Sequence, residues 1–433
     1  MNIPILKIGI MNEKKLKFHL KGDYKWLETD KTVNGTFEAC FHGDKIEFDG
    51  HKYDELTFSP IVENAEFMLE EVTIGVRFHW QRKTNQRYSG VLRLLATDNG
   101  IQVINEIDTE EYLMRVISAE MNENAPEEFL KAHAVISRSW VMAQIDKTIN
   151  SHTENEKVDT DERTIKWYDK DDHSLFDVCA DDHCQRYQGI GEGISDKVKK
   201  IVNSTKGEIL RYNGKICDTR FSKCCGGVSE EFEHCWQPTH YDYLSAIRDS
   251  KDKNVPDLTN ETAAERWILS SPKSFCDTKD SKILSTILNS YDQETKDFYR
   301  WTVEYTQKEL SELIYRKSGL DFGQIIDLQP LKRGKSGRIE ELRVVGTLGN
   351  HIFGKELEIR RILSETHLYS SAFIVRKELD NSGAPTKFVI KGAGWGHGVG
   401  LCQIGAAVMG CEGYGYREIL AHYFKGASLE MTY

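Results

Sequence analysis

The chain has 433 residues, 39% hydrophobic and 29% charged, with a formal net charge of −11. That length allows two or three domains with ordinary cores, and the balance is that of a globular protein. The acidic sum argues against a general nucleic-acid binder, which needs a basic footprint, and no run approaches the roughly 18 apolar residues of a membrane span.

The opening MNIPILKIGIMNEKKLKFHL is too short and too charged in its apolar part for a secretory leader, so a leader has been removed or none is present. Residues 1–105 predict strands, with partial alternation after Ile3 and Lys15 and clear alternation from Glu71 to Trp80. Ile101–Ile107 is one more strand, running into a helix from Glu110 to Met121 with Leu113, Val116 and Ile117 at helical spacing. Pro126 suits the first turn of a second helix that reaches about Lys147, with Leu130, Ala134 and Val141 on one stripe. Residues 149–172 are polar and predict a loop. Residues 197–221 predict a helix and then a hairpin turning at Asn213-Gly214. Residues 251–334 are charged and helix-biased and read as an insert. Strands return at 338–359 and 387–391, and the run Gly392–Gly400 opens a last helical region ending near Phe424. The fold class expected is α+β: a β-rich region 1–105, a mixed core split between 106–250 and 335–433, and the insert between them.

Glu120 lies seven residues after Leu113 and three after Ile117, on the apolar stripe of its helix. A carboxylate there is costly unless paired or protonated, and desolvation would raise its pKa toward that of a general acid. Lys131 and Arg138, seven apart, share a face of the next helix, and Arg138 could meet Glu120 as a half-buried ion pair. The whole segment, EEYLMRVISAEMNENAPEEFLKAHAVISRSW, resembles the signature of the SpoIID/LytB family of cell-wall proteins. The resemblance implies that Glu120 is the catalytic acid, with Lys131 and Arg138 its basic companions. It also implies lytic transglycosylase action on peptidoglycan strands stripped of stem peptides, and an extracytoplasmic location.

HSLFDVCADDHCQRYQG sets His173, Cys179, His183 and Cys184 within twelve residues. Two His and two Cys can close a tetrahedral zinc shell, while a Cys179–Cys184 disulfide or two reduced thiols would suit the spacing as well. The family resemblance adds weight to zinc, as a structural staple without an open position.

RFSKCCGGVSEEFEHCW resembles the family stretch Tyr-Phe-x-Ser-x-Ser-Gly-Gly-x-Thr, with Cys224 and Cys225 in place of small hydroxyl residues. Ser222 remains a candidate sugar contact, and Gly226-Gly227 would permit close approach of a ligand. The cysteines could pair (Cys225 with Cys235), join His234 in a second metal site, or simply be buried.

GAGWGHGVGLCQIGAAVMG resembles the family motif Gly-x-Gly-His-Gly-x-Gly-x-Ser-Gln-x-Gly-Ala, with Cys402 at the usual Ser. It lacks the Gly-Lys-Ser/Thr of a phosphate loop. Alternating glycines would lay a strand flat against a polymer with His397 projecting from it, although His397 on its own reads as readily as a satisfied core histidine. The resemblance implies that it stands beside Glu120, with Gly396, Gly398 and Gln403 against the glycan. The partners implied are glycan strands, with a wall amidase as an alternative if the chain is a non-catalytic enhancer of the LytB type.

Overall fold

The computed structural model describes residues 2–75, 81–146, 157–167, 173–181, 183–189, 193–288 and 297–433. Most of the polar 149–172 segment and the end of the strand begun at Glu71 lie outside them.

The N-terminal region is β-rich, as expected. Ile5–Glu13 pairs antiparallel with Ile101–Asp108, which continues through Val91–Ala96 and Glu55–Pro60 to Lys15–Trp26 and Lys31–His42. The alternation of Lys15–Trp26 has the physical consequence it predicts: Leu16, Phe18 and Leu20 are buried while Lys15, Lys17 and Lys21 face water. At the other edge, Val178–Cys179 adds a short parallel strand beside Ile8-Gly9. The cysteine–histidine loop is thereby fastened to the sheet.

Helix α1 (Thr109–Glu120) grows directly out of the strand ending at Asp108. The Asp108 carboxylate accepts the Glu110 and Glu111 N–H groups, an N-cap worth about 1 kcal/mol. Helix α2 (Glu127–Ile145) starts after Pro126. Its single expected apolar stripe is an underestimate. Phe129, Leu130 and Ala132–Val141 are all buried, so α2 is buried nearly all round. Such a helix must satisfy its polar residues internally. Ser139 accordingly accepts the Leu210 N–H, and Thr219 reaches the Ile136 carbonyl. After α3 (Asp196–Ser204), Glu208–Tyr212 and Lys215-Ile216 form the predicted hairpin, with Asn213 and Gly214 at φ of 49° and 77°.

Residues 251–334 are not a purely helical insert. They contain helices α4 (Glu261–Ser270), α5 (Ser281–Ile287) and α6 (Gln307–Ser318). They also supply the strands Arg300–Thr306 and Ile325–Arg333, whose partners Pro385–Ala393 and Ile339–Gly346 lie beyond residue 334. With α7 (Glu356–Ile362) these elements enclose a second hydrophobic core, from Trp301 to Ile390. The first core runs without a break from the N-terminal sheet through α1 and α2 to α8 (Gln403–Cys411) and α9 (Tyr416–Tyr423).

Candidate functional site

Glu120 closes α1. It is only 7% exposed, and its Oε1 accepts the Arg186 backbone N–H at 3.1 Å. Arg186 sits two residues beyond Cys184, so the loop that holds the carboxylate is the cysteine–histidine loop. The same loop is tied to both helices through Gln185. Its Oε1 accepts from Tyr112 of α1 at 3.4 Å, and its Nε2 donates to the Ser137 carbonyl of α2 at 3.4 Å.

Arg138 does not pair with Glu120. Its guanidinium forks onto Glu110 at 2.9 and 2.7 Å, and Glu110 also accepts the Gly207 N–H and the Tyr433 hydroxyl. The reason is geometric. The two helices fold back on each other, so Glu120 lies beside the start of α2. Arg138, eleven residues further, is roughly 16 Å along the axis and meets the first turn of α1. Lys131 forms ion pairs at 2.9 and 2.8 Å with Glu127 and Glu128 of its own helix. The expected Arg138–Glu120 pair is therefore not formed, and Lys131, a companion of Glu120 only by the resemblance, is paired within its own helix.

In the loop itself, Cys184 Sγ lies 3.4 Å from His173 Nε2 and 3.5 Å from His183 Nδ1, and Cys179 Sγ lies 3.9 Å from His183 Nδ1. All four donor atoms fall within 4.8 Å of one another. Ligand distances of about 2.0–2.3 Å in a tetrahedron give edges of about 3.6 Å, so the donor set fits one such ion. The Cys179 N–H points at Cys184 Sγ, and no disulfide occurs among the described residues.

The two glycine-bearing segments are knitted together. Phe221-Ser222 runs parallel to Leu401-Cys402, Cys224 bridges Trp395, and Glu230 bridges Val399. The expected flat strand at 394–400 is not formed: Gly394, Gly396, Gly398 and Gly400 all have φ between 73° and 89°, so the chain turns at every second residue. A Cβ on Gly398 would lie 2.4 Å from the Arg338 guanidinium carbon. Gly226 and Gly227 approach protein in place of ligand. The Gly226 carbonyl accepts from Trp267 and Arg300, and that of Gly227 accepts from Arg248. The Gly396 carbonyl accepts two bonds from Arg338. Among the substrate-contact candidates, Ser222 stands apart: its buried hydroxyl has no hydrogen-bond partner, and it lies against Gly396.

His397 is half-buried. Its Nδ1 accepts the Val399 N–H at 3.0 Å, and its ring stands edge-on to Trp236 with centroids 5.1 Å apart. Burial, and then the cations Arg220, Arg338 and Arg360, hold its pKa well below the usual histidine range, against a bond to the Phe221 backbone. These are the contacts of a neutral imidazole that fixes one segment to the other. Gln403 pairs with His133 Nε2 at 3.1 Å inside the core, and burial with the nearby Lys223 charge pulls His133 down to about 3.

Sequence reasoning missed His133, Trp236 and Arg220. Arg220 is ion-paired with Asp218 at 2.7 Å and lies 4.0 Å over the Trp236 ring, and its charge acts on both the Cys184 thiol and His397. It thus stands between the loop that holds Glu120 and the glycine-rich segment. A polar residue inside the apolar run around His133 was the one signal available. A hydrolase would need a second carboxylate, and the four that could supply it are engaged elsewhere: Asp218 with Arg220, Glu230 with Ser336, Glu231 with His234, and Glu233 with His240. Of the three readings of these cysteines, burial holds: Cys224, Cys225 and Cys235 are all buried and unpaired by disulfide, and His234 is engaged by carboxylates. Cys235 Sγ faces the His397 carbonyl, and His234 binds Glu231 and Glu340.

The site thus brings together a buried helix-terminal carboxylate, a Cys/His loop that grips it and a glycine-rich segment knitted to Phe221–Gly227, and the comparisons bear on the same stretches of chain. The family described as Stage II sporulation protein matches residues 97–212, and a domain of unknown function, DUF8618, matches residues 230–400. The chain is 26% identical to an uncharacterized protein of Brachyspira hyodysenteriae over 79% of its own length and 72% of that protein's. It is 25% identical to the Stage II sporulation protein D of Bacillus subtilis, over 76% of each chain. It is also 25% identical to the Amidase enhancer of Bacillus subtilis, over 55% of this chain but only 33% of that protein. Residues 97–212 thus match the Stage II sporulation protein family, and the chain as a whole is similar to proteins of the SpoIID and amidase-enhancer type.

Proposed function

We propose that the protein is a peptidoglycan lytic transglycosylase acting outside the cytoplasm, with Glu120 as its acid and base. The observation that carries this reading is Glu120 itself, a carboxylate almost withdrawn from water and aimed by a backbone N–H. Protonated Glu120 gives its proton to the glycosidic oxygen as the bond from muramic C1 breaks through an oxocarbenium-like state. The muramic C6 hydroxyl then bonds to C1 and returns its proton to Glu120. No water is consumed, so one carboxylate suffices, consistent with the engagement of Asp218, Glu230, Glu231 and Glu233 elsewhere. His173, Cys179, His183 and Cys184 would hold a zinc ion whose chemistry is structural, because four protein ligands fill a tetrahedral shell. The residues this would steady are Gln185 and Arg186, and through them the acid.

The test is digestion of purified, peptide-free glycan strands, with products weighed by mass spectrometry. Products ending in 1,6-anhydromuramic acid are expected from the wild type and not from Glu120→Gln; products carrying an added water would make the protein a hydrolase. A second reading, a non-cutting glycan or amidase-binding module, draws on the likeness to the Amidase enhancer and on His397 and Gln403 being bonded inward. It takes over if the wild type binds strands and leaves them intact.

A further inference from the structure

A second group of metal-type donors lies away from Glu120, in the core behind the glycine-rich segment. Cys225, Cys276 and Cys402 place their sulfurs, and Asp249 a carboxylate oxygen, within 4.8 Å of one another, and all four residues are fully buried. We propose that these four residues bind a single zinc ion, as three thiolates and one carboxylate.

The geometry fits one ion. Cys225 Sγ and Cys276 Sγ are 3.7 Å apart, against about 3.8 Å for the edge of a tetrahedron with metal–sulfur bonds of about 2.3 Å. A disulfide would need about 2.05 Å, and the thiolates of a polynuclear iron–sulfur cluster stand further apart than these four atoms do. The sulfurs are also set up to carry charge. The Cys225 N–H donates to Cys402 Sγ at 3.2 Å, and the Gly227 N–H donates to Cys225 Sγ at 3.4 Å. Asp249 is oriented from behind, its Oδ1 accepting from the Tyr423 hydroxyl at 2.7 Å and its Oδ2 from the Cys276 N–H at 3.0 Å. A cation among the thiols would compensate a carboxylate that is buried with only neutral donors, and a thiolate-rich tetrahedral set selects zinc. Binding releases the three thiol protons and involves no redox change. Cys224 hydrogen-bonds to Cys276 and Cys402 at the margin of the site.

The placement explains the departures from the family motif. Cys225 and Cys402 stand where the resembling motif has small hydroxyl residues, while Cys276 comes from the 251–334 segment, which that motif does not include. The ion would pin that segment to the two glycine-bearing segments.

The test uses the full chain carrying Cys179→Ser and Cys184→Ser, which removes the first donor set. Elemental analysis should still find about one zinc per chain, and cobalt(II) added to the metal-stripped protein should give a thiolate-to-cobalt absorption band. Adding Cys276→Ser should remove both signals, whereas adding Cys411→Ser, at an exposed cysteine, should change neither. Should these variants fail to fold, X-ray absorption at zinc on the wild type decides. Two zinc ions per chain should average about 2.5 sulfur ligands each. One zinc with two sulfurs, or intact-mass loss of two hydrogens from Cys225–Cys276 oxidation, overturns the proposal. The outcome is independent of whether the protein cuts glycan.

Discussion

At the scale of single residues, the two buried carboxylates of α1, Glu110 and Glu120, have opposite assignments. Glu120→Gln keeps shape and hydrogen bonding but lacks the transferable proton. Cleavage of peptide-free strands should fall by about 10²–10⁴-fold, with the thermal midpoint unchanged; full activity in that variant would exclude the acid role. Arg138, by contrast, is a structural cation, wholly buried and forked onto Glu110. Arg138→Met should cost about 3–5 kcal/mol in urea unfolding, because it strands Glu110 in the core. A variant losing activity without losing stability would return Arg138 to the catalytic set. The sequence showed that both residues sat on costly faces. It could not show which partner each would find, since that depends on two helices folding back in space.

Among elements, the short turn Phe232–His234 and the strand Ile339–Gly346 are clamped by His234, between Glu231 and Glu340. Burial opposes its charge, but the bonds to Glu231 and Glu340, with Glu230 nearby, raise its pKa to about 10. Burial likewise opposes Glu340, yet His234 and Lys355 hold that carboxyl down to about 2, and Lys332 also reaches it. A raised histidine stabilises fully below its unfolded value of about 6.5, and its contribution is lost as pH climbs through 10. The depressed glutamate stabilises above about 4.5 and loses its share as pH falls through 2. His234→Gln should therefore cost about 2 kcal/mol near pH 6 and progressively less toward pH 10, read from urea midpoints across that range. A gap that does not change with pH would mean the imidazole is uncharged. The first donor set makes a companion prediction. Cys184→Ser should lower bound zinc by about one ion per chain and lower the melting temperature. The periodic elements, α1, α2 and the Asn213-Gly214 hairpin, were legible because local spacing determines them. The 394–400 run was misread because alternate glycines fit a flat strand and a chain of left-handed turns equally well. What decides is the close approach of Arg338 and of the Cys224–Gly227 backbone, neighbours remote in sequence.

Across the whole molecule, α2 is the hub, buried against α1 and α3 on one side and α8 and α9 on the other. Its amides from Leu130 to Val141 should be the slowest in hydrogen exchange, opening only with global unfolding, while those of Arg300–Thr306, in the separate second core, should exchange sooner. Comparable rates in both would mean the two cores unfold as one. The second donor set was illegible in the sequence for the same reason the hub was: its members are drawn from positions 225, 249, 276 and 402, which no window brings together. That dispersion has a consequence in time. At about 5–20 residues per second, the ribosome exposes Cys225 on the order of ten to forty seconds before Cys402 exists. During that interval the thiols of the CCGG segment are bare nucleophiles in an unfinished chain. Nascent protein meeting an oxidant early should therefore form scrambled pairings, and the yield of folded protein should depend on how long a reductant outlasts synthesis.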